Sequence, residues 1–380
     1  MTFRAAHAGV APDGADDGAA GPWQGWQDLA TRCLARLGPG AAAGTLGILY
    51  VSEPLAAELP AIRDHVASRT GVADWVGAVA PAVCGTGSDY FDGPAMALMI
   101  CDLPAAAAHL VRGTAGDADA LVDWSHAHHP AIGIVHGDPR SPAVLSMAPE
   151  LAAASGAFLV GGLASAVPGN QIAGAITEGG LSGVLFAGDV AVATGLTQGC
   201  SPIGPVRTIT AMAGDAIAEL DGRPALDAFR EDIGEVLARD LRRVAGYILG
   251  AVPVAGSDTG DYLVRNLAAL DPGEGTVTLA ARLGAGDRVM FVRRDASSAV
   301  EDMQRMLATL ARRIGTRAVR GGVYHSCVAR GPNQFGPGAH ELNAIRETFG
   351  DIPLVGFFGN GEISHDRLYS YTGVLTLFLD

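Results

Sequence analysis

The chain contains no lysine: all 26 of its basic residues are arginine. A guanidinium stays protonated and is no amine nucleophile, so this absence excludes a phosphate-loop lysine, a Schiff-base lysine and a kinase's phosphate-positioning lysine. Charge is scarce, 17% of residues against the usual quarter, and 26 basic against 40 acidic side chains leave a net charge of −14. No run of arginines forms a basic patch, which makes nucleic acid and anionic membrane poor partners. The cysteines (Cys33, Cys84, Cys101, Cys200 and Cys327) are odd in number and include no C-x-x-C, so neither a disulfide framework nor a zinc ribbon is indicated and a reducing cytoplasm fits. The longest uncharged stretch, Leu151–Thr177, is broken by glycines, Pro168, Asn170 and Gln171, and reads as strand, loop and strand, with no membrane span. The N-terminus has no basic segment leading into an apolar run, so residues 1–22 are expected to be a disordered tail.

What is abundant is apolar residues and glycine: 49% hydrophobic, with 52 glycines in 380 residues, about twice the usual share. The length implies two domains or an internal duplication. Three segments share a pattern: Gly47-Ile48-Leu49-Tyr50-Val51, Gly133-Ile134-Val135-His136-Gly137 and Gly322-Val323-Tyr324-His325-Ser326. Each is a short apolar run followed by a helical stretch (Pro54–Arg69, Pro142–Ala154, Pro337–Phe349), a second apolar run ending in glycines, and a third strand (Met96–Asp102, Gly183–Ala187, Gly373–Leu379). The spacing is that of a strand–helix–strand crossover, and it predicts an α/β, two-domain chain with mixed sheets built from repeated β-α-β-β units. Between the second and third units the pattern changes. A hairpin is expected around Gly188-Asp189, then a turn-rich Gly195–Pro205, a strand at Val206–Met212, a helix over Pro224–Val244, four further strands and a strong helix at Ala296–Ile314. The boundary is placed near Gly222, giving a tail at 1–22 and domains at 23–222 and 223–380.

Hydrolase, zinc-protease and nucleotide-switch motifs are missing. Three polar, glycine-rich segments carry the candidate chemistry. In Gly195–Arg207 a sharp bend would turn Gln198, Cys200 and Arg207 toward one space, or Cys200 is simply a small buried residue. In Tyr324–Asn333, at the carboxyl end of a strand, Arg330 is suited to gripping a carboxylate with Asn333 beside it. His325 is either a hydrogen-bonded core residue or a partner for Cys327. In Gly356–Ile363, Gly359, Asn360 and Gly361 permit close backbone approach, and Glu362 offers a carboxylate to an ammonium group. His126, His128 and His129 read as a surface helix end, and no metal site is expected.

Taken in order, Gly195-Leu196-Thr197-Gln198-Gly199-Cys200-Ser201-Pro202-Ile203-Gly204-Pro205, Glu219–Ala225, Asp261–Asn266 and Gly356-Phe357-Phe358-Gly359-Asn360-Gly361-Glu362-Ile363 resemble the FIST family, whose members pair an N-terminal and a C-terminal FIST domain. The resemblance runs from about Gly44 to Leu379, by pattern alone in the first third. It implies a sensory module of signal transduction that binds a small ligand such as an amino acid, without catalysis and without a cofactor. The expected site is a cleft between the domains, where Arg330 and Glu362 meet each other or a ligand, with Cys200 and Arg207 nearby. Output is expected to pass to a separate signalling protein. Two alternatives stand: a haem-binding gas sensor, with His325, His340, His136 or His365 as the axial ligand, and an enzyme pairing His325 with Cys327 or Cys200.

Overall fold

A computed structural model of the chain describes residues 1–10, 25–38, 44–104, 106–112, 118–254 and 260–380. The first repeat comprises β1 (Thr2–Gly9), α1 (Trp26–Leu37), β2 (Leu46–Ser52), a 3-10 turn at Glu53–Glu58, α2 (Leu59–Thr70), β3 (Asp74–Ala80), β4 (Ala82–Gly85), β5 (Ser88–Tyr90) and β6 (Ala95–Asp102). The second comprises β7 (Ala108–Arg112), α3 (Ala118–His128), β8 (Ile132–Gly137), α4 (Val144–Ser155), β9 (Phe158–Leu163), β10 (Gln171–Ala173), β11 (Ala175–Thr177) and β12 (Leu181–Phe186), with β13 (Val192–Gln198) leading onward. An antiparallel region follows: β14 (Cys200–Pro202), β15 (Arg207–Ala213), β16 (Ala216–Leu220), β17 (Arg223–Pro224), α5 (Ala225–Ala238), β18 (Ile248–Pro253), β19 (Tyr262–Arg265), β20 (Leu267–Asp271), β21 (Thr276–Leu279) and β22 (Arg288–Arg294). The third repeat comprises α6 (Ala296–Ile314), β23 (Val319–Cys327), α7 (Pro332–Phe335), α8 (His340–Phe349), β24 (Leu354–Gly359), β25 (Glu362–Ser364), β26 (Arg367–Tyr369) and β27 (Thr372–Leu379).

The expected β-α-β-β unit is present three times with one topology. The lead strand (β2, β8 or β23) lies in the middle, parallel to the strand after the helix and antiparallel to the third: β6-β2-β3, β12-β8-β9 and β27-β23-β24. The short hairpin after each second strand leaves its own sheet and joins that of another repeat. Thus β4 pairs with β24, β25 with β9 and β10 with β3, closing a ring. One position explains why glycine recurs. Gly77, Gly161 and Gly356 sit opposite Leu49, Val135 and Tyr324. A Cβ on any of the three would lie 1.8 Å from the facing carbonyl oxygen, closer than any side chain tolerates.

Apolar residues of the three sheets face one another around the ring's centre, among them Ile48, Ile134, Val323, Val355 and Phe357. The outer faces are covered by helices, through Leu59, Ile62 and Val66 of α2, Leu151 and Ala152 of α4, and Met306, Leu310, Leu342 and Ile345 of α6 and α8.

Contacts divide the chain into two compact units: Met1–Thr197 with Met303–Leu368 and Thr372–Asp380, and Gln198–Asp302 with Tyr369–Tyr371. The second unit is therefore an insertion between the second and third repeats. Its strands run in the order β19-β18-β22-β15-β16-β21-β20, over a core in which Leu226 and Phe229 of α5 meet Ile209 and Phe291.

Four expectations are corrected. Residues 2–9 are no disordered tail: they form β1, paired along its length with β6, because Phe3 on one face and Ala6 and Ala8 on the other are buried in separate cores. The remainder of that expected tail, from residue 11 on, lies outside the described residues. The segment around Gly188-Asp189 is no hairpin, since β12 pairs with β8 and β7 while β13 lies beside β27 in another sheet. The turn-rich Gly195–Pro205 is largely strand, the end of β13 followed by β14. The helix expected to reach Val244 stops at Ala238, with Gly234 at φ +77° breaking it, and a 3-10 turn at Leu241–Val244 follows.

Candidate functional site

Aligning the three lead strands on their first glycine places Tyr50, His136 and His325 in one column, three residues after Gly47, Gly133 and Gly322. The fold brings them together. The Tyr50 hydroxyl lies 3.1 Å from Nε2 of His136 and 3.1 Å from Nε2 of His325, and all three side chains are buried. The Phe357 ring packs edge-on or tilted against all three, with centroids 5.0, 6.0 and 4.9 Å away. Burial holds the His136 pKa down at about 3 and lowers that of His325 well below its ordinary value, with His136 adding to the effect on His325, so both rings are neutral. One hydroxyl proton serves one imidazole as acceptor, and the other imidazole must donate Nε2–H to the same oxygen. The two rings therefore adopt opposite tautomers, leaving one Nδ1–H and one bare Nδ1, neither with a partner among the described residues.

The ring of exchanged hairpins adds a second equivalent position. Glu362 lies beside Gly162, which lies beside His136; Gln171 stands in the same relation to Tyr50, and Val83 to His325. Glu362 is thus the third repeat's counterpart of an amide and an aliphatic side chain. Its Oε2 accepts from Thr372, at 2.7 Å from the hydroxyl and 3.2 Å from the backbone N–H. Its Oε1 is buried with no donor among the described residues. Burial, opposed by the Thr372 hydrogen bonds and the Arg330 charge, pushes its pKa up to about 8.

Arg330 follows the end of β23 and is wholly buried. Its Nε donates to Oε1 of Glu341 at 2.8 Å, and Nη2 lies 2.8 Å from the same oxygen outside hydrogen-bonding alignment. Nη1 has no acceptor among the described residues, and the guanidinium carbon lies 5.3 Å from the Phe335 ring centroid. Glu341, 2% exposed on α8, also accepts from the Tyr324 hydroxyl at 2.6 Å, the Gly331 N–H at 3.2 Å and the Ser326 hydroxyl at 3.4 Å. Asp89 of β5 feels burial and the Glu341 charge, which push its pKa up to about 6. The Arg330 guanidinium thus feels the charges of Glu341, in direct contact, and of Glu362.

The corresponding strand ends of the other repeats are better satisfied. In the second, Asp138 accepts from Arg140 at 2.7 and 3.1 Å and from the Gly179 N–H at 2.9 Å, and Glu178 takes the outer side of Arg140 at 2.8 Å. In the first, Ser52 accepts from the Ala95 N–H at 2.8 Å and donates to the Gly93 carbonyl at 2.9 Å. The second repeat's unpartnered atoms near its strand end, on Asn170, Gln171 and Ser182, are neutral oxygens. The third repeat leaves both a guanidinium nitrogen and a carboxyl oxygen unmet.

The other expected residues are placed as follows. Asn333 is exposed and donates to the Val328 carbonyl at 2.8 Å, bracing the loop. Asn360 is exposed between buried Gly359 and Gly361, and a Cβ on Gly359 would lie 2.5 Å from the Leu163 carbonyl oxygen. Gln198, Cys200 and Arg207 belong to the second unit. There Gln198 Nε2 donates to the Tyr262 carbonyl at 2.9 Å, the Tyr262 hydroxyl donates to the carbonyl of buried Cys200, and Arg207 binds Asp232 at 2.6 and 2.9 Å and Asp221 at 3.3 Å. His128 stacks on Trp124, which stacks on His109. The sequence reading missed Tyr50, Glu341 and Thr372. A column alignment of the repeats reveals Tyr50, whereas Glu341 is one acidic residue in a helix's first turn and carries no local signal.

Buried His136 and His325 do not fit haem ligation. Their Nε2 atoms are engaged by Tyr50, and Phe357 packs against both rings.

A family model described as the FIST N domain matches residues 45–223, and one described as the FIST C domain matches residues 225–365. The chain belongs to the FIST family. FIST domains are sensory domains of signal transduction, and the FIST C match contains Arg330, Glu341 and Glu362. Relatives include an uncharacterized protein of Mycobacterium tuberculosis, 34% identical over 219 residues (54% of this chain, 55% of the relative). Another is an uncharacterized protein of Mycobacterium bovis, 35% identical over 194 residues (49% and 50%). The chain spans about half the length of the curated relatives it matches. Among the described residues no helix is long and apolar enough to cross a membrane.

Proposed function

We propose that this FIST protein senses a small zwitterionic metabolite, an amino acid or close analogue, bound at Arg330 and Glu362 and released unchanged. The observation that carries the reading is the pair of unmet polar groups, an Arg330 guanidinium nitrogen and a Glu362 carboxyl oxygen, both buried. A buried polar group without a partner costs about 1–3 kcal/mol, more when charged, so a fold retains two such groups where a ligand or ordered water completes them. Arg330 suits a carboxylate and Glu362 an ammonium group. The ring centroid of Phe335 on α7 lies 5.3 Å from the guanidinium carbon, and the flanking Gly331 and Gly336 take φ values of +52° and +79°.

The noncatalytic reading is supported by the engagement of His325 with Tyr50 at Nε2. All five cysteines are buried and unbridged, which agrees with a cytoplasmic location. The output passes to a separate signalling protein. A thermal-shift screen of the amino acids tests the reading, since a ligand at 100 times its Kd adds about 2.7 kcal/mol of stability. The expected result is a stabilising amino acid recovered unaltered, its effect lost in Glu362→Gln. A screen with no stabilising amino acid, or recovery of a converted product, refutes it.

A further inference from the structure

The second unit contains a separate cavity of about 310 Å³, lined by Ile203, Ile233, Leu237, Ile248, Tyr247, Asp232 and Arg293. We propose that this cavity is a second binding site, for a small amphipathic carboxylate whose apolar tail fills the isoleucine and leucine walls and whose carboxylate meets Arg293. The cavity's volume falls at the lower end of the range for small-ligand pockets, and four of its seven lining residues are aliphatic. Its acid is already neutralised: both oxygens of Asp232 are held by Arg207, at 2.9 and 2.6 Å. That disposition disfavours an amine. Its base is not fully used. Arg293 Nη2 gives one bond to Asp295 at 2.7 Å, while Nε is buried with no acceptor among the described residues.

Arg293 on β22 is the cross-strand partner of Ile248 on β18, which places the guanidinium stem and an apolar wall on one face of the sheet. The opposite wall comes from α5, which Gly234 interrupts between Ile233 and Leu237. Tyr247, which also lines the cavity, is 41% exposed and opens it to solvent on an aromatic side chain. A guanidinium with an unmet N–H at the edge of an apolar hollow recognises a carboxylate attached to a hydrocarbon, and it gives no comparable bond to the neutral amide of the same shape.

The test uses the full chain and four probes: phenylacetate and isovalerate, and their neutral counterparts phenylacetamide and isovaleramide. Calorimetry or ligand-observed NMR is expected to show both acids binding, each amide weaker by about tenfold or more, the scale of a charge-assisted hydrogen bond. Arg293→Gln, at a half-exposed side chain, is expected to erase the difference between acid and amide while the thermal midpoint stays close to wild type. Leu237→Trp is expected to abolish binding of all four probes by filling the cavity. Equal binding of acids and amides, acid binding that survives Arg293→Gln, or no binding of either acid at millimolar concentration overturns the proposal. None of these outcomes bears on Arg330 and Glu362, because the two sites share no residue.

Discussion

Glu341→Leu strands Arg330, a wholly buried guanidinium, in a space that offers no other carboxylate within hydrogen-bond reach among the described residues. It also deprives the Tyr324 and Ser326 hydroxyls and the Gly331 N–H of their shared acceptor. Removing one partner of a buried ion pair costs about 3–5 kcal/mol, chiefly because the remaining charge is left uncompensated. For a unit of this size, each kcal/mol moves the thermal midpoint by about 2–4 °C, so the expected fall is about 6–20 °C by calorimetry. The same reasoning predicts that Arg330→Met alone is destabilising. It further predicts that the double variant Arg330→Met/Glu341→Leu loses less than either single variant, because no charge remains buried. A cost below about 1 kcal/mol for Glu341→Leu, or strict additivity in the double variant, refutes the reasoning.

Tyr50→Phe leaves both Nε2 atoms of His136 and His325 without their shared hydroxyl and is expected to cost about 2–4 kcal/mol in denaturant unfolding. Gly356→Ala forces a Cβ to within 1.8 Å of the Tyr324 carbonyl oxygen and is expected to abolish soluble folded protein, whereas Gly284→Ala, with nothing within 4 Å, is expected to leave the midpoint unchanged. Stability is expected to peak slightly acid of neutrality. Glu362 holds its proton in the folded state up to about 8 but loses it in the unfolded state near the ordinary carboxyl value, so it contributes a decline as pH rises, and from the ordinary histidine pKa to about 8 that decline dominates, before the buried thiols of Cys84 and Cys101 add theirs. Below that point His136 and His325, neutral when folded but protonated when unfolded, make stability fall as pH falls. Glu362→Gln is expected to flatten the alkaline arm in a series of pH-dependent melts and leave the acid arm in place.

The repeats were legible because a buried lead strand, a crossover helix and a glycine-ended second strand each leave local signatures, and Gly47, Gly133 and Gly322 mark the same point in each. The exchange of β4, β10 and β25 among sheets was not legible, because strands of three or four residues carry too little periodicity to name a distant partner. The hairpin read around Gly188-Asp189 failed for the same reason: two adjacent apolar runs suggest pairing, yet β13 finds a better partner in β27, far along the chain. Arg330 and Glu362 were legible as charged residues beside glycine loops. Their burial was not, since it depends on Glu341 supplying a countercharge from a helix whose acidic first turn looks like any other. Arg207 shows the converse: a sequence that suggests a ligand loop places it on β15, in an ion pair with Asp232.

The most direct measurement is the affinity of an amino acid found in the screen, compared by calorimetry with its N-acetyl and its methyl-ester derivatives. A site built on Arg330 and Glu362 requires both ends of the ligand, so each derivative is expected to lose at least about tenfold in affinity, the loss expected when one charge-assisted contact is removed. Binding of either derivative with the parent's affinity would show that one of the two groups does not touch the ligand and would contradict the site.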